Sequence, residues 1–237
     1  SALTLRLLER GDTVIGIDNH NDYYDPGLKE DRLERHAKHK NYIHLRIDIA
    51  ERSSMEQFFK DYQPEVVVHL AAQAGVRYSI ENPLSYVDSN MVGFAHILEE
   101  CRHNKVKHLV YASSSSVYGD QKVFPTKEHY NLKAKNPYGL SKILKENLSE
   151  IYSTIYNCDF IGLRLFTVYG EWGRPDMFTY KLLNSIKKNK IFYLNNNGNH
   201  KRDLTYIKDV TKICLLLIKL RKKIKHDIFN ICSSRSI

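Results

Sequence analysis

The chain has 237 residues, of which 42% are hydrophobic and 11% aromatic, and its formal net charge is +9. This composition is typical of a globular protein and excludes an intrinsically disordered chain, since the apolar side chains suffice for a core. The first residues lack the apolar core of a signal peptide, and no apolar run is long enough to span a bilayer. We therefore expect a cytoplasmic protein without a membrane partner.

The positive charge is compatible with a nucleic-acid surface, an anionic substrate or simple solvation. Lysines cluster at residues 187–190 and 221–223, both at the ends of predicted helices, where cations complement the helix dipole. Solvated helix ends are therefore favoured, and we expect no nucleic-acid partner. The cysteines lack paired spacing, so we expect free thiols and no metal site.

Short β-branched and apolar runs alternate with longer helical patterns, which predicts an α/β fold with a parallel sheet. The predicted strands are residues 14–18, 42–48, 66–71, 107–114, 160–166 and 228–232. The predicted helices are residues 1–10, 53–62, 83–103, 137–157, 177–188 and 207–221. Ser53 and Glu56 have the spacing of a capping box, and Asn136 and Pro137 suit an N-cap and a first helical position.

The first predicted strand ends in Asp18, which has two interpretations. In a dinucleotide-binding βαβ unit an acidic residue at this place binds the adenosine ribose, about 20 residues after a glycine-rich turn. Alternatively, Asp18 is a turn-forming residue before Asn19. No G-x-G-x-x-G motif occurs in the sequence, so we expect that the first strand and the phosphate-binding turn lie before Ser1 and are missing here.

The most informative motif is Tyr138 with Lys142, read together with the serine run 113–116. Residues four apart share one face of a helix, and a nearby cation and the helix N-terminus both favour a phenolate. The serines end a predicted strand, at the sheet edge where ligands bind in open α/β folds. Together these groups suit proton exchange with a sugar hydroxyl while a hydride leaves its carbon. The alternative is a polar turn without chemistry.

Several segments carry a resemblance to a known family. They are HLAAQAGVRYSIENP (69–83), YASSSSVYG (111–119), NPYGLSK (136–142), LRLFTVYGEWGRPDM (163–177) and RDLTYIKDV (202–210). The chain resembles the extended short-chain dehydrogenase/reductase superfamily and, within it, the UDP-glucuronate 4-epimerases, a group that includes enzymes of capsular polysaccharide biosynthesis. The resemblance implies a Rossmann-like doubly wound parallel sheet with a smaller C-terminal substrate-binding region. It divides the chain into an NAD-binding domain at 1–166 and a substrate-binding region at 167–237, interleaved with the first.

The resemblance also assigns roles to individual residues. It implies that Ser114, Tyr138 and Lys142 are catalytic and that NAD is the cofactor. The implied NAD-binding residues are Asp18, Asn19, Asp48, Ile49, Ala71, Ala72, Gln73, Tyr138 and Lys142. A carboxylate at the ribose favours NAD over NADP, because it accepts a 2′-hydroxyl and repels a 2′-phosphate.

The implied substrate-binding residues are Arg77, Ser115, Ser116, Thr167, Arg174 and Arg202. Arg202 is expected to bind the diphosphate, or alternatively to pair with the neighbouring Asp203. Related dehydratases and decarboxylases carry a glutamate at the position of Ser116, and many relatives carry an asparagine at that of Thr167. Hydroxyls at these positions favour UDP-glucuronate, whereas loop packing is the alternative role of Thr167 and Arg174.

We therefore predict an NAD-dependent isomerase that converts UDP-glucuronate to UDP-galacturonate through a 4-keto intermediate. Alternatives are an epimerase of UDP-glucose or of a UDP-N-acetylhexosamine, and a non-catalytic Rossmann-like module. The resemblance further implies a homodimer in which residues 83–103 and 137–157 pack into a helix bundle.

Overall fold

The computed structural model describes residues 1–121, 123–199, 201–220 and 225–235. Its strands are β1 Val14–Ile17, β2 Tyr42–Leu45, β3 Val66–His69, β4 His108–Ser114, β5 Phe160–Leu165, β6 Thr167–Tyr169, β7 Leu204–Tyr206 and β8 His226–Ile231. Its α-helices are α1 Ala2–Glu9, α2 Pro26–Glu34, α3 Arg52–Tyr62, α4 Tyr78–Glu81, α5 Leu84–Tyr86, α6 Gly93–His103, α7 Pro137–Tyr156, α8 Phe178–Lys187 and α9 Ile207–Lys219. A π-helical segment, Val87–Val92, joins α5 to α6, and Ser115–Tyr118 forms a 3₁₀ turn after β4.

All strand pairs in the described residues are parallel. The main sheet has the order β3-β4-β5-β8, and β1 pairs with β2 in a two-stranded sheet. Strands β6 and β7 form a third pair, with Thr167 opposite Leu204. The predicted α/β fold with a parallel, Rossmann-like sheet is confirmed, since helices cover both faces of the main sheet.

The core lies on the two faces of the main sheet, and alternate residues of β4 belong to opposite sides. Leu109 and Tyr111 pack with the apolar side chains of α3 and α6. Val110 points to the other face, where it packs with α1 and α9. This two-sided burial explains why β4 is apolar along most of its length and why all of its residues are buried.

The structure differs from the predicted elements at several places. The capping box at Ser53 is wrong: α3 begins one residue earlier, its N-cap is Glu51, and no side chain caps it. Glu56 instead forms an exposed ion pair with Arg52 at 2.7 Å. The predicted helix 83–103 contains the π-helical segment, and the predicted helix 207–221 ends at Lys219 in the described part, which excludes residues 221–224.

The last strand of the chain returns to the main sheet. Phe160 of β5 is opposite His226 of β8, and the pairing continues to Leu165 and Ile231. A segment from the predicted C-terminal region therefore completes the sheet of the predicted N-terminal one, while the division at residue 166 itself stays a prediction. Among the described residues, no helix is both long and apolar enough to cross a bilayer.

Candidate active site

A cleft of about 2070 Å³ runs along the carboxyl ends of the parallel strands. Every residue predicted for the site lines it, among them Asp18, Asp48, Ala71, Tyr138 and Arg202. The remaining members are Asn19, Ile49, Ala72, Gln73, Arg77, Ser114, Ser115, Ser116, Lys142, Thr167 and Arg174. Parallel strands bring their carboxyl ends to one edge, which is why residues distant in sequence meet here.

The N-terminus of α7 places Tyr138 and Lys142. Asn136 is the N-cap, and its side chain accepts a hydrogen bond of 2.8 Å from the backbone N–H of Gly139. Pro137 occupies the first turn, as predicted. The Lys142 Nζ lies 5.5 Å from the centroid of the Tyr138 ring and donates a hydrogen bond of 2.9 Å to the carbonyl of Ala112 in β4.

Ser114 lies at the end of β4, beside the phenol of Tyr138. Burial raises the pKa of Tyr138, whereas its hydrogen bond with Ser114 and the positive charge of Arg174 both lower it. The sequence predicts that nearby positive groups favour a phenolate at Tyr138. Arg174 acts in that direction, but burial outweighs it.

Lys142 is buried, and this burial changes its proton affinity. Loss of solvent, and secondarily the charge of Arg174, lower the pKa of Lys142 to about 8, against a raising effect of Glu146. The lysine is therefore close to its titration range near neutral pH and can both hold and release a proton at Nζ.

A buried ion pair contacts the serine run through Ser113. Arg164 of β5 makes two hydrogen bonds with the carboxylate of Glu146, at 2.9 and 2.7 Å, and both side chains are almost fully buried. Glu146 also accepts a hydrogen bond from Ser113, and Arg164 donates to the hydroxyl of Tyr118. The network thus ties α7 to both strands that end at the site.

The predicted cofactor residues divide into two groups. In the segments that follow β1 and β2, the Asn19 side chain donates a hydrogen bond of 2.9 Å to Asp48. The Asp18 carboxylate is about half exposed and accepts a hydrogen bond from the backbone N–H of His20, and the Lys29 Nζ lies 3.8 Å from it. We did not predict a role for Lys29, because nothing in the sequence distinguishes it from other lysines in polar segments.

The segment after β3, which also lines the cleft, is anchored by Asn90. Its side chain accepts from the backbone N–H of Gln73 at 2.8 Å and donates to the carbonyl of Gln73 and to the hydroxyl of Ser141, both at 3.0 Å. Asn90 is fully buried in the π-helical segment. We did not predict it, because a polar residue inside a predicted helix carries no sign of its long-range partners.

On the substrate side, the Arg174 guanidinium makes two hydrogen bonds with Asp176, at 2.9 and 2.7 Å. Tyr23 donates a third hydrogen bond to the same carboxylate, at 3.3 Å. Arg174 therefore faces the cleft with its charge partly compensated. Neither Tyr23 nor Asp176 was predicted, since the first lies 153 positions from the second along the chain.

The other predicted substrate residues vary in their surroundings. Thr167 begins β6 and pairs with Leu204, and Ser115 and Ser116 form the 3₁₀ turn. Arg202 is exposed, and the neighbouring Asp203 accepts hydrogen bonds from Ser233 and from the backbone N–H of Arg235. The alternative in which Arg202 is held by Asp203 is therefore not the arrangement in the described residues.

The residues present fit a dinucleotide. The cleft is lined by the half-exposed carboxylate of Asp18, by small side chains after β3, and by the Tyr138 and Lys142 pair. A ribose hydroxyl can donate to Asp18, and the small residues Ala71 and Ala72 leave room for a dinucleotide, whose two riboses are joined by a pyrophosphate.

Two similar proteins cover most of the chain. Protein CapI of Staphylococcus aureus is 45% identical over 221 residues, which is 92% of this chain and 66% of CapI. UDP-glucuronate 4-epimerase 4 of Arabidopsis thaliana is 44% identical over 224 residues, which is 92% of this chain and 51% of that protein. The chain thus spans about two thirds of the length of the first and about half that of the second.

The fold is also similar to that of a solved structure. The crystal structure of UDP-glucuronic acid 4-epimerase from Bacillus cereus, in complex with UDP-glucuronic acid and NAD, superimposes with a TM-score of 0.91. It is 28% identical in sequence, and the match covers 100% of this chain and 74% of that one. A family model, described as the NAD dependent epimerase/dehydratase family, matches residues 1–232. Because that match takes in nearly the whole chain, and with it all the cleft residues described above, the chain belongs to the NAD dependent epimerase/dehydratase family.

Proposed function

We propose that this chain carries the active site of an NAD-dependent UDP-sugar 4-epimerase, and that its substrate is UDP-glucuronate, converted to UDP-galacturonate. The observation that carries the proposal is the proximity of Ser114, Tyr138 and Lys142 in one cleft, which Thr167 and Arg174 also line. The relatives named UDP-glucuronate 4-epimerase support the choice of sugar.

In the proposed reaction, Tyr138 takes the proton of the sugar 4-hydroxyl through its phenol oxygen. Ser114 hydrogen-bonds the reacting oxygen, and the positive charges of Lys142 and Arg174 favour the phenolate. Bound NAD supplies the chemistry of accepting a hydride from C4 and returning it. The 4-keto sugar then turns over, and Tyr138 returns the proton once the hydride has added to the opposite face.

The carboxylate of the sugar has to be held firmly, because a 4-keto uronic acid readily loses CO₂. Ser115, Ser116 and Thr167 can donate hydrogen bonds to a carboxylate without placing a base next to C5. The exposed Arg202 and Arg77 are suited to the diphosphate, for which a guanidinium fork is well matched.

One observation favours a second candidate, an epimerase of a neutral UDP-sugar. The charge of Arg174 is partly compensated by Asp176, which reduces its attraction for a carboxylate. The test is incubation of the full-length protein with UDP-glucuronate, UDP-glucose and UDP-N-acetylglucosamine, each with NAD, and identification of the products by NMR. We expect UDP-galacturonate from the first. Formation of UDP-xylose, or turnover of only a neutral sugar, would overturn the assignment.

The role of Tyr138 has its own test. Tyr138→Phe removes the proton-exchanging oxygen but keeps the ring, so we expect turnover to fall by a factor of about 10² or more. NAD should still co-purify with the variant, as measured by mass spectrometry after denaturation. Tyr180→Phe is the matched control, because Tyr180 is exposed on α8. Normal activity in Tyr138→Phe would remove Tyr138 from the mechanism.

A partner is also proposed. Helices α5 to α7 present exposed apolar side chains, among them Leu84, Ile151 and Ile155. Together with the family resemblance, this supports a homodimer formed by packing these helices against those of a second copy.

A further inference from the structure

The segment 170–176, which carries Arg174, is fastened to α2, a helix that belongs to the cofactor side of the cleft. Arg32 of α2 donates from Nε to the carbonyl of Trp172 at 3.0 Å and from Nη2 to the carbonyl of Gly173 at 3.2 Å. The Arg35 guanidinium lies 5.1 Å from the centroid of the Trp172 ring. Contacts of this kind join positions about 140 residues apart.

The segment needs such support, because its backbone is unusual. Trp172 has a φ of +63°, a left-handed conformation that a bulky side chain rarely adopts. Gly170 has a φ of +141°, and a Cβ there would overlap Ile207. A conformation of this type persists where the surrounding structure holds it, and the two bonds from Arg32 reach the strained residue and the one after it.

The position of this segment matters at the reacting centre. Arg174 follows the two held carbonyls directly, and its charge lowers the pKa of both Tyr138 and Lys142. A second contact with the cofactor side, from Tyr23 to Asp176, holds the partner of Arg174. Lys29, which lies on α2 with Arg32, has its Nζ 3.8 Å from the Asp18 carboxylate. Helix α2 therefore contacts both the proposed ribose site and the segment that carries Arg174.

We propose that Arg32 is a positioning residue, which holds segment 170–176 against α2 and thereby sets where Arg174 lies relative to Tyr138. This inference rests on the proposed function for the reaction that Arg32 serves. Arg32 also lines the cleft, but its guanidinium is engaged by Trp172, Gly173 and the Tyr24 hydroxyl. The proposal therefore assigns it a role through Arg174 and no contact with substrate or cofactor.

The first test needs no substrate. Trp172 is the one tryptophan of the chain, so its fluorescence reports on this segment alone. We expect Arg32→Ala to increase acrylamide quenching of Trp172 and Arg32→Lys to restore most of the protection, since an ammonium can still donate to a carbonyl. The matched control is Arg6→Ala, which removes an exposed arginine paired with Glu9 on α1. Equal quenching in Arg32→Ala and the parent protein would overturn the inference, whatever the substrate proves to be.

The second test measures the energetic coupling between Arg32 and Arg174 in the full-length protein. We expect Arg32→Ala to lower kcat/KM about 100-fold, the cost of a misplacement of about 1 Å, with at least tenfold recovered in Arg32→Lys. In an Arg174→Ala background the same substitution should cost less than about threefold, because residues that act through one another are not additive. A full 100-fold loss in that background would show a merely structural role and overturn the proposal.

These outcomes are separable from failure of the proposed function. If the parent protein converts only a neutral UDP-sugar, the assignment of UDP-glucuronate fails. The single and double variants of Arg32 and Arg174 are then measured with the sugar that the protein accepts. If it converts no UDP-sugar, Arg32 has no reaction to serve and both proposals fall. Unchanged quenching and additive losses, with a fully active parent, overturn the role of Arg32 alone.

Discussion

Lys142, a proposed site residue, illustrates how burying a charged side chain costs stability. Its pKa falls from an ordinary value of 10.5 to about 8, mainly by burial. The unfolded chain therefore binds this proton more tightly than the folded chain does, and the folded protein is destabilised wherever the lysine is charged in both states. At pH 7 this costs about 3 kcal/mol, at about 1.4 kcal/mol for each pKa unit. The cost disappears as the pH rises from about 8 to 10.5.

We expect Lys142→Met to unfold at higher urea than the parent protein at pH 7, despite the loss of the bond to Ala112, which is worth about 1 kcal/mol. The net gain should be about 2 kcal/mol and should shrink toward pH 10. Urea titrations at both pH values measure it. Lys212→Met, at an exposed position of α9, should change little. A variant less stable than its parent at pH 7 would contradict the burial argument.

The pKa of Tyr138 is likewise set by competing effects on one group. Burial raises its pKa, and Ser114 and Arg174 lower it. Because burial raises the pKa of this phenol, positive neighbours that lower the pKa are needed for proton exchange near neutral pH. This is why the placement of Arg174, rather than its presence in the sequence, matters for the proposed reaction.

At the scale of elements, one predicted helix cap is present in the structure and the other is absent. A pair of substitutions tests this difference. Asn136 caps α7 through its side chain, whereas α3 has no side-chain cap. We expect Asn136→Ala to lower the free energy of unfolding by about 1 kcal/mol, because an N-terminal backbone donor loses its acceptor. Ser53→Ala should change it by less than about 0.5 kcal/mol, as at an ordinary surface position. Equal effects in thermal or urea unfolding would contradict the assigned caps.

The buried pair of Glu146 and Arg164 joins α7 to β5 beneath the site. Glu146→Gln leaves the Arg164 guanidinium buried without a counter-charge, so we expect a loss of about 3–5 kcal/mol of stability. Urea unfolding measures this loss, and Glu150→Gln on the exposed face of the same helix is the control. A loss of under about 1 kcal/mol would mean that water or another group replaces the lost charge.

For the whole molecule, the proposed dimer makes a specific prediction. The α7 side chains Ile151 and Ile155 are 51% and 66% exposed. Burial of apolar surface drives association, so placing a charge in that surface should prevent it. We expect sedimentation analysis to show a dimer for the parent protein and a monomer for Ile151→Glu with Ile155→Glu.

The control for the dimer is Ile191→Glu. Ile191 is 78% exposed but lies outside α5 to α7, so this variant should sediment like the parent protein. A parent protein that is monomeric at every concentration measured, or a double variant that remains dimeric, would contradict the proposed interface.

Much of the fold was predictable because it depends on local patterns. Apolar runs bounded by polar turns located the main-sheet strands, and the Asn-Pro pair located the start of α7, since a proline suits the first helical turn. The strands β6 and β7 were missed because each has only three residues, too few for a periodic signal. The capping box at Ser53 failed because that spacing is common and the backbone entered the helix elsewhere.

The amino-acid sequence by itself determined that Tyr138, Lys142 and the serine run lie together. Tyr138 and Lys142 share a helix face and the serine run ends a strand, so their proximity follows from short-range rules and parallel topology. Only the tertiary structure decided the charges and contacts around them. The burial of Lys142, the pairing of Arg174 with Asp176 and the hold of Arg32 on Trp172 all join residues through packing. The physical reason is that burial and long-range hydrogen bonds depend on how elements pack in space, which local sequence does not specify.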